Sequence, residues 1–129
     1  MDAPFRATHQ TKRMLYEMML CAEHRGAYVG YVRGEFSRTL TGFFQEVSSA
    51  FRFPYTFSWN WESLDGCFRD LEWLSFSQLL WVISQPEKLF TQEENHMAHV
   101  NALQRSIAAA ASFWRERQVP FDCVLNLFE

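Results

Sequence analysis

Histidine and cysteine are among the side chains of this 129-residue chain that could ligate a metal or act as nucleophiles. His96 and His99 stand three residues apart, so a helix would place them on one face, where they could share a metal ion. No third ligand follows at a nearby spacing, so we interpret the pair as two solvent-facing histidines. Cys67 has no accompanying His/Asp pattern and is interpreted as a buried structural thiol.

The sequence also lacks the common catalytic motifs. The chain has no G-x-S-x-G, no glycine-rich phosphate loop and no H-E-x-x-H. Paired carboxylates for acid–base work cannot be inferred from sequence proximity alone. Three cysteines, Cys21, Cys67 and Cys123, cannot all pair within the chain and lack metal-type spacing, which indicates reduced thiols in a cytosolic protein. We therefore predict no metal, no cofactor and no enzymatic activity.

Composition narrows the class of partner. Apolar residues make up 48% of the chain and aromatic residues 17%, enough to build the core of one domain. The net charge of −3 argues against nucleic-acid binding, which usually requires a basic patch. No apolar run is long enough to span a membrane, and the N-terminus lacks the features of a secretory signal. A cytoplasmic protein is the expectation, and its acidic charge permits a partner that is itself basic.

The elements that would position a binding site centre on residues 53–73. A proline-bearing aromatic loop is followed by Asn60 or Ser58, either of which could cap a new helix. The apolar stripe of that helix is Trp61, Leu64, Phe68 and Leu71. The opposite, solvent-facing side would carry Glu62, Asp65, Gly66, Arg69 and Trp73. A glycine within a helix costs about 1 kcal/mol of stability relative to alanine. Its presence on the exposed face could therefore reflect a binding role, and the alternative is an ordinary solvated surface with an incidental glycine.

The remaining elements alternate between strands and helices. Strands are expected near Tyr28–Val32, Leu79–Ile83 and Cys123–Phe128. Ser37 is expected to cap a helix that ends before Pro54, and a long helix is expected from about Gln92 to Arg117. Strands separated by helices predict an α/β fold with a three-stranded parallel sheet. Residues 1–25 are predicted to form an extra helical segment and residues 26–129 the main domain.

The stretch that begins Phe53-Pro54 and continues through Asn60-Trp61-Glu62-Ser63-Leu64 and Cys67-Phe68-Arg69-Asp70-Leu71 resembles the barstar family. Members of that family are small cytoplasmic inhibitors of secreted ribonucleases. The resemblance implies the same three-stranded fold. It also implies a protein partner, a secreted ribonuclease or toxin with a basic cleft that the domain occludes.

By this resemblance the binding surface is the proline loop and the exposed face of the following helix. Its residues would be Tyr55, Thr56, Trp59, Glu62, Asp65, Gly66, Arg69 and Trp73. Glu62 matches an acidic position of the family. Gly66 stands where a contacting acid is usual, and Thr56 where a contacting tyrosine is usual, so the partner need not be a barnase-type ribonuclease.

Two other interpretations stay open from the sequence. A barstar-fold interaction or regulatory module without a nuclease target would show the same elements. Trp59, Trp61 and Trp73 could also form a platform for a ligand, although aromatic residues of this kind more often pack in a core or at its rim. The N-terminal segment could pack on the domain, mediate association or fray.

Overall fold

The computed structural model of the protein describes residues 5–128. Residues 1–4, at the start of the predicted extension, and Glu129, at the end of the predicted domain, lie outside the described residues. In chain order the elements are β1 (Arg6–Thr8), α1 (Lys12–His24), β2 (Ala27–Arg33), α2 (Leu40–Phe51), α3 (Trp61–Phe68), β3 (Gln78–Ser84), α4 (His96–Glu116) and β4 (Phe121–Asn126). Short 3₁₀ turns at Gly34–Phe36 and Pro86–Lys88 follow β2 and β3.

The sheet is parallel throughout, with strand order β1-β4-β3-β2. This confirms the predicted parallel α/β fold, but the prediction of three strands is wrong because β1 adds a fourth. Arg6 pairs with Val124 and Thr8 with Asn126 along β4. Asn126 is fully buried, and its side-chain oxygen accepts bonds from the Thr8 hydroxyl (2.7 Å) and the Gln10 N–H (2.8 Å). The N-terminal segment is therefore hydrogen-bonded to the last strand.

The helices divide between the two faces of the sheet. The large core lies under α2, α3 and α4, and five of its fully buried residues are Leu64, Phe68, Leu71, Trp81 and Ile107. The ring of Trp81 stacks on Phe68 at 4.8 Å. On the other face α1 covers a smaller cluster through Leu15 and Ala22, which are 1% and 2% exposed. The extra helical segment predicted within residues 1–25 thus corresponds to α1, with β1 ahead of it.

Two predicted helix starts are corrected. Ser37 does not cap α2: its buried hydroxyl donates to the Arg33 carbonyl oxygen, and Thr39 caps the helix by accepting from the Gly42 N–H (3.0 Å). The long helix begins at His96 rather than near Gln92. Ahead of it the Glu93 carboxylate accepts the Leu40 N–H at 2.8 Å, which ties the turn before α4 to the start of α2.

Candidate functional site

The loop between α2 and α3 is anchored from inside by two phenylalanines. Phe53 and Phe57 are 9% and 6% exposed, and their ring centroids lie 4.9 Å apart. The Phe57 N–H donates to the Pro54 carbonyl oxygen at 3.0 Å, which closes a turn. The residues between the anchors project into solvent: Thr56 is exposed, and Tyr55 is 99% exposed. The turn therefore presents an aromatic side chain from a fixed base.

The loop is also tied to the start of α3. Of the two predicted cap residues, Asn60 is the one that caps the helix. Its side-chain oxygen accepts the Ser63 N–H at 2.7 Å. Its amide nitrogen donates to the Ser58 carbonyl oxygen (3.3 Å), and the Ser58 N–H donates to the Ser63 hydroxyl (3.0 Å). These three bonds fix the loop relative to the helix.

Trp59 sits between these ties in a left-handed backbone conformation, with φ of 56°. Such a conformation is costly for a side chain other than glycine and persists where the surroundings impose it. The indole is 47% exposed, with its centroid 6.0 Å from that of Phe57. Trp59 and Tyr55 are the two large, exposed aromatic residues of this loop.

The exposed side of α3 agrees in part with the prediction. Glu62 is exposed in the first turn, where a carboxylate interacts favourably with the helix dipole. A methyl group at Gly66 would meet no neighbouring atom within 4 Å apart from the helix's own backbone. Asp65 is only half-buried rather than exposed, and its Oδ1 is buried without a hydrogen-bond partner among residues 5–128. Glu62 is therefore the exposed residue here, while Gly66 is half-buried like Asp65 but has space above it for a side chain.

Trp73 does not lie on the exposed face of α3 as predicted. The helix ends at Phe68, and Leu71 turns the chain with a positive φ of 51°. The Trp73 indole then folds back and donates its N–H to the Phe51 carbonyl oxygen at 2.9 Å. Arg69, the C-cap residue, remains exposed.

A platform of three tryptophans is not formed either. Trp61 packs among core rings, with its centroid 5.5 Å from Phe43 and 5.3 Å from Phe44. With Trp73 anchored to α2, Trp59 is the exposed member of the three. Trp61 and Trp73 instead pack in the core or at its rim, which was the alternative to a ligand platform.

Charged side chains that were not singled out from the sequence border the site. Asp70 and Glu72 are exposed just after α3, and Arg52 is exposed at the start of the loop in a left-handed conformation. None of the charged residues of this surface takes part in an ion pair within residues 5–128. The acidic residues of this surface are Glu62, Asp65, Asp70 and Glu72, and the basic residues are Arg52 and Arg69. These acids are visible in the sequence, but the early end of α3 at Phe68, which places Asp70 and Glu72 beyond the helix, is not.

The thiols and histidines have structural surroundings. Burial, with the nearby charge of Asp70, raises the pKa of the Cys67 thiol, which is half-buried rather than fully buried. The ring of His99 stacks against Trp61 with a centroid separation of 6.4 Å. The Nδ1 of His96 lies 3.1 Å from the Phe90 carbonyl oxygen. Within residues 5–128, no three His, Cys, Asp or Glu side chains are grouped so that they could hold a metal ion.

Comparison with known families assigns this arrangement. The chain matches the family described as Barstar (barnase inhibitor) over residues 27–126. The chain belongs to the barstar family. The match runs from the start of β2 to the end of β4, so it includes the loop and α3, while β1 and α1 precede it. No curated protein matches the chain, and none of the helices described here is long and apolar enough to cross a membrane.

Membership in the barstar family accounts for the shared features of the fold and loop. The parallel sheet and the helices packed on it are what the resemblance implied. By the resemblance described from the sequence, the surface departs from the family pattern at Thr56 and Gly66. Because Gly66 is unobstructed, the departure removes a charge without closing the surface.

Proposed function

We propose that the protein binds and neutralises a ribonuclease or a related toxin by covering its cationic active site. The contacting surface is the loop Tyr55–Trp59 together with the exposed side of α3 around Glu62, Asp65, Gly66 and Arg69. In this proposal the protein acts in the cytoplasm and is not an enzyme, and residues 26–129 carry the binding function. Family membership supports the class of partner.

The observation that carries the proposal is the loop itself. Tyr55 is 99% exposed although the turn beneath it is held by two buried phenylalanines and a closing hydrogen bond. A side chain held out in this way has no role in the core of its own domain. Rigid aromatic side chains are enriched among the residues that dominate binding energy, because little conformational entropy is lost when they dock.

The charges of this surface favour a basic partner, but we expect them to contribute only modestly to the affinity. A ribonuclease stabilises negative charge in its transition state, so its cleft carries cationic and hydrogen-bonding groups. Glu62 offers an exposed carboxylate to such a cleft, while Arg52 and Arg69 border the same surface with positive charge. We therefore expect the aromatic residues to contribute most of the affinity and the acids to govern association rate and salt dependence.

Gly66 distinguishes the partner from a barnase-type ribonuclease. The family usually places an acid at this position, and here the helix surface is open. A partner side chain can therefore approach the backbone of α3 beside Glu62. Gly66→Asp would fill that space and restore the usual acid, so its effect should have opposite sign for the two kinds of partner.

Calorimetric titration provides the test. The ribonuclease captured from the medium in which the source organism grows, and a barnase-type ribonuclease, are each titrated with wild type, Tyr55→Ala and Gly66→Asp. We expect Tyr55→Ala to weaken binding of the captured partner by at least about tenfold. Gly66→Asp should weaken that complex and strengthen binding to the barnase-type enzyme.

A matched control uses Glu87→Gln, an exposed acid on the 3₁₀ turn after β3, against Glu62→Gln on α3. Both remove one negative charge, and the proposal expects a loss of affinity from Glu62→Gln alone. If no nuclease is captured and the protein instead retains a partner without hydrolytic activity, the interpretation as an interaction module replaces this one.

A further inference from the structure

The two edges of the sheet are protected very differently. Natural sheets guard their edges with short strands, charges, proline or bulges, because an open edge recruits further strands. The edge strand β1 has three residues and includes Arg6. The edge strand β2 has seven residues, and its only charged residue is the last, Arg33. Of the two, β2 lacks these protections over most of its length.

The hydrogen-bond directions show which groups of β2 are free. The Leu79 N–H donates to the Pro120 carbonyl oxygen, so odd-numbered residues of β3 face β4. In a parallel pair, residues alternate in direction, and the register therefore turns the even-numbered residues of β2 toward β3. The odd-numbered residues point away from the sheet. The Arg33 N–H agrees with this direction, since it donates outward to the Glu46 carboxylate at 3.0 Å.

Three residues of β2 remain on this open edge. The outward N–H and C=O groups of Ala27, Val29 and Tyr31 have no hydrogen-bond partner within residues 5–128. All three residues are half-buried and pack against the cluster under α1, while their outward backbone groups lie at the edge of the sheet. An extended strand laid along this edge would satisfy these groups in an alternating pattern.

One flank of α1 lies beside the same edge. Tyr16 lines an open groove together with Tyr31 of β2. Tyr16 is 58% exposed and Leu20 39% exposed, although both are large apolar residues. They stand between Arg13 and Glu23 in a 3-4-3 spacing, which places all four on one seam of the helix.

This seam is complementary to itself. If two copies of α1 lie antiparallel with residue 18 at the centre, Arg13 faces Glu23 of the second copy and Tyr16 faces Leu20 of the second copy. Opposite charges and apolar residues then meet at both ends of the contact. Such reciprocity is what a two-fold interface between identical chains requires.

The strand and the helix share the position of that two-fold axis. Residues 15, 16 and 19 of α1 line a groove with Tyr31, near the end of β2. Residues 18, 22 and 25 line a second groove with Ala27, at the start of β2. Residue 18 is therefore level with the middle of the strand, near Val29 and Gly30. A single axis can relate two β2 strands and two α1 helices at once.

We propose that the protein forms a symmetric dimer through this edge. β2 pairs antiparallel with β2 of a second copy, which joins the two four-stranded sheets, and the α1 seams pack against each other. The interface uses no residue of the loop Tyr55–Trp59 or of α3, so each copy keeps its proposed binding surface. This inference does not depend on the proposed function.

Sedimentation equilibrium of the full chain, from about 1 to about 300 μM, tests the proposal in a range where small interfaces associate. We expect a mass near twice the 15.3 kDa of one chain at the upper end. Arg13→Glu and Glu23→Arg should each weaken the dimer by about tenfold, because each substitution acts at two symmetry-related contacts. The double variant, Arg13→Glu with Glu23→Arg, should restore it.

Two further variants complete the test. Val29→Pro removes an outward N–H that β3 does not use and should prevent the dimer, with circular dichroism as the check on folding. Glu94→Arg, an equal charge change on the exposed turn before α4, should leave the dimer unchanged. A monomer at every concentration overturns the proposal. So does a dimer that tolerates both single charge reversals, or one that the double variant fails to restore.

Discussion

Asn60 joins the candidate loop to α3, and its replacement by alanine tests how the loop is held. The side-chain oxygen caps the helix through the Ser63 N–H, and the amide donates to the Ser58 carbonyl oxygen. Loss of an asparagine cap costs about 1 kcal/mol. The second bond is exposed and 3.3 Å long, and contributes about 0.5 kcal/mol. Asn60→Ala should therefore lower the free energy of unfolding by about 1.5 kcal/mol.

Asn60→Asp separates the two contributions. Aspartate keeps the capping oxygen and adds a negative charge at the helix N-terminus, but it cannot donate to the Ser58 carbonyl oxygen. It should cost at most about 0.5 kcal/mol. Asn101→Ala, an exposed asparagine on the surface of α4, is the matched control and should stabilise the protein slightly because alanine favours helix.

Urea titration of the four proteins measures these differences, and thermal melts should show a decrease in Tm of about 5 °C for Asn60→Ala. A cost below about 0.3 kcal/mol for Asn60→Ala would contradict the cap and the loop tie together. An equal cost for aspartate and alanine would mean that the cap oxygen contributes nothing.

Three further predictions concern the rest of the molecule. Burial alone would raise the pKa of Glu46, but hydrogen bonds from Arg33 lower it below its ordinary 4.5. The stabilisation from this pair is therefore present above about pH 4.5 and is lost as pH falls through the lower folded value. Urea titrations at several pH values should show the advantage of wild type over Glu46→Gln shrinking in acid. Cys21 is exposed while Cys123 is buried with a raised pKa, so a thiol reagent should label Cys21 in the native protein and spare Cys123 until unfolding, as peptide mass analysis would show. Leu64→Ala should cost about 2–5 kcal/mol in a urea titration, because Leu64 is fully buried.

The parallel sheet could be predicted because its three long strands carry apolar runs between helical stripes. β1 could not be predicted in the same way, because Arg6-Ala7-Thr8 is too short and too polar to show a pattern. Its place depends on Asn126, which lies 118 residues from Thr8 in the chain. Pairing over such a separation is decided by tertiary packing rather than by local sequence.

In the candidate site, too, the features set by local sequence could be predicted and those set by tertiary contacts could not. The Asn60 cap follows from a residue type and its position before an apolar stripe, so the sequence predicts it. The placement of Trp73 failed because Leu71 adopts a left-handed conformation that leucine rarely takes. Helical periodicity places Asp65 toward solvent, because it gives the direction of a side chain but not the neighbouring elements that half-bury it.

Inhibition of the captured ribonuclease or toxin tests the central claim most directly. The hydrolytic activity of the captured protein is measured against increasing amounts of wild type and of the double variant Tyr55→Ala, Glu62→Arg. We expect wild type to abolish the activity at one chain per enzyme molecule, and the double variant to leave most of the activity at the same ratio. Full activity in an excess of wild type, or equal inhibition by the double variant, would contradict the claim.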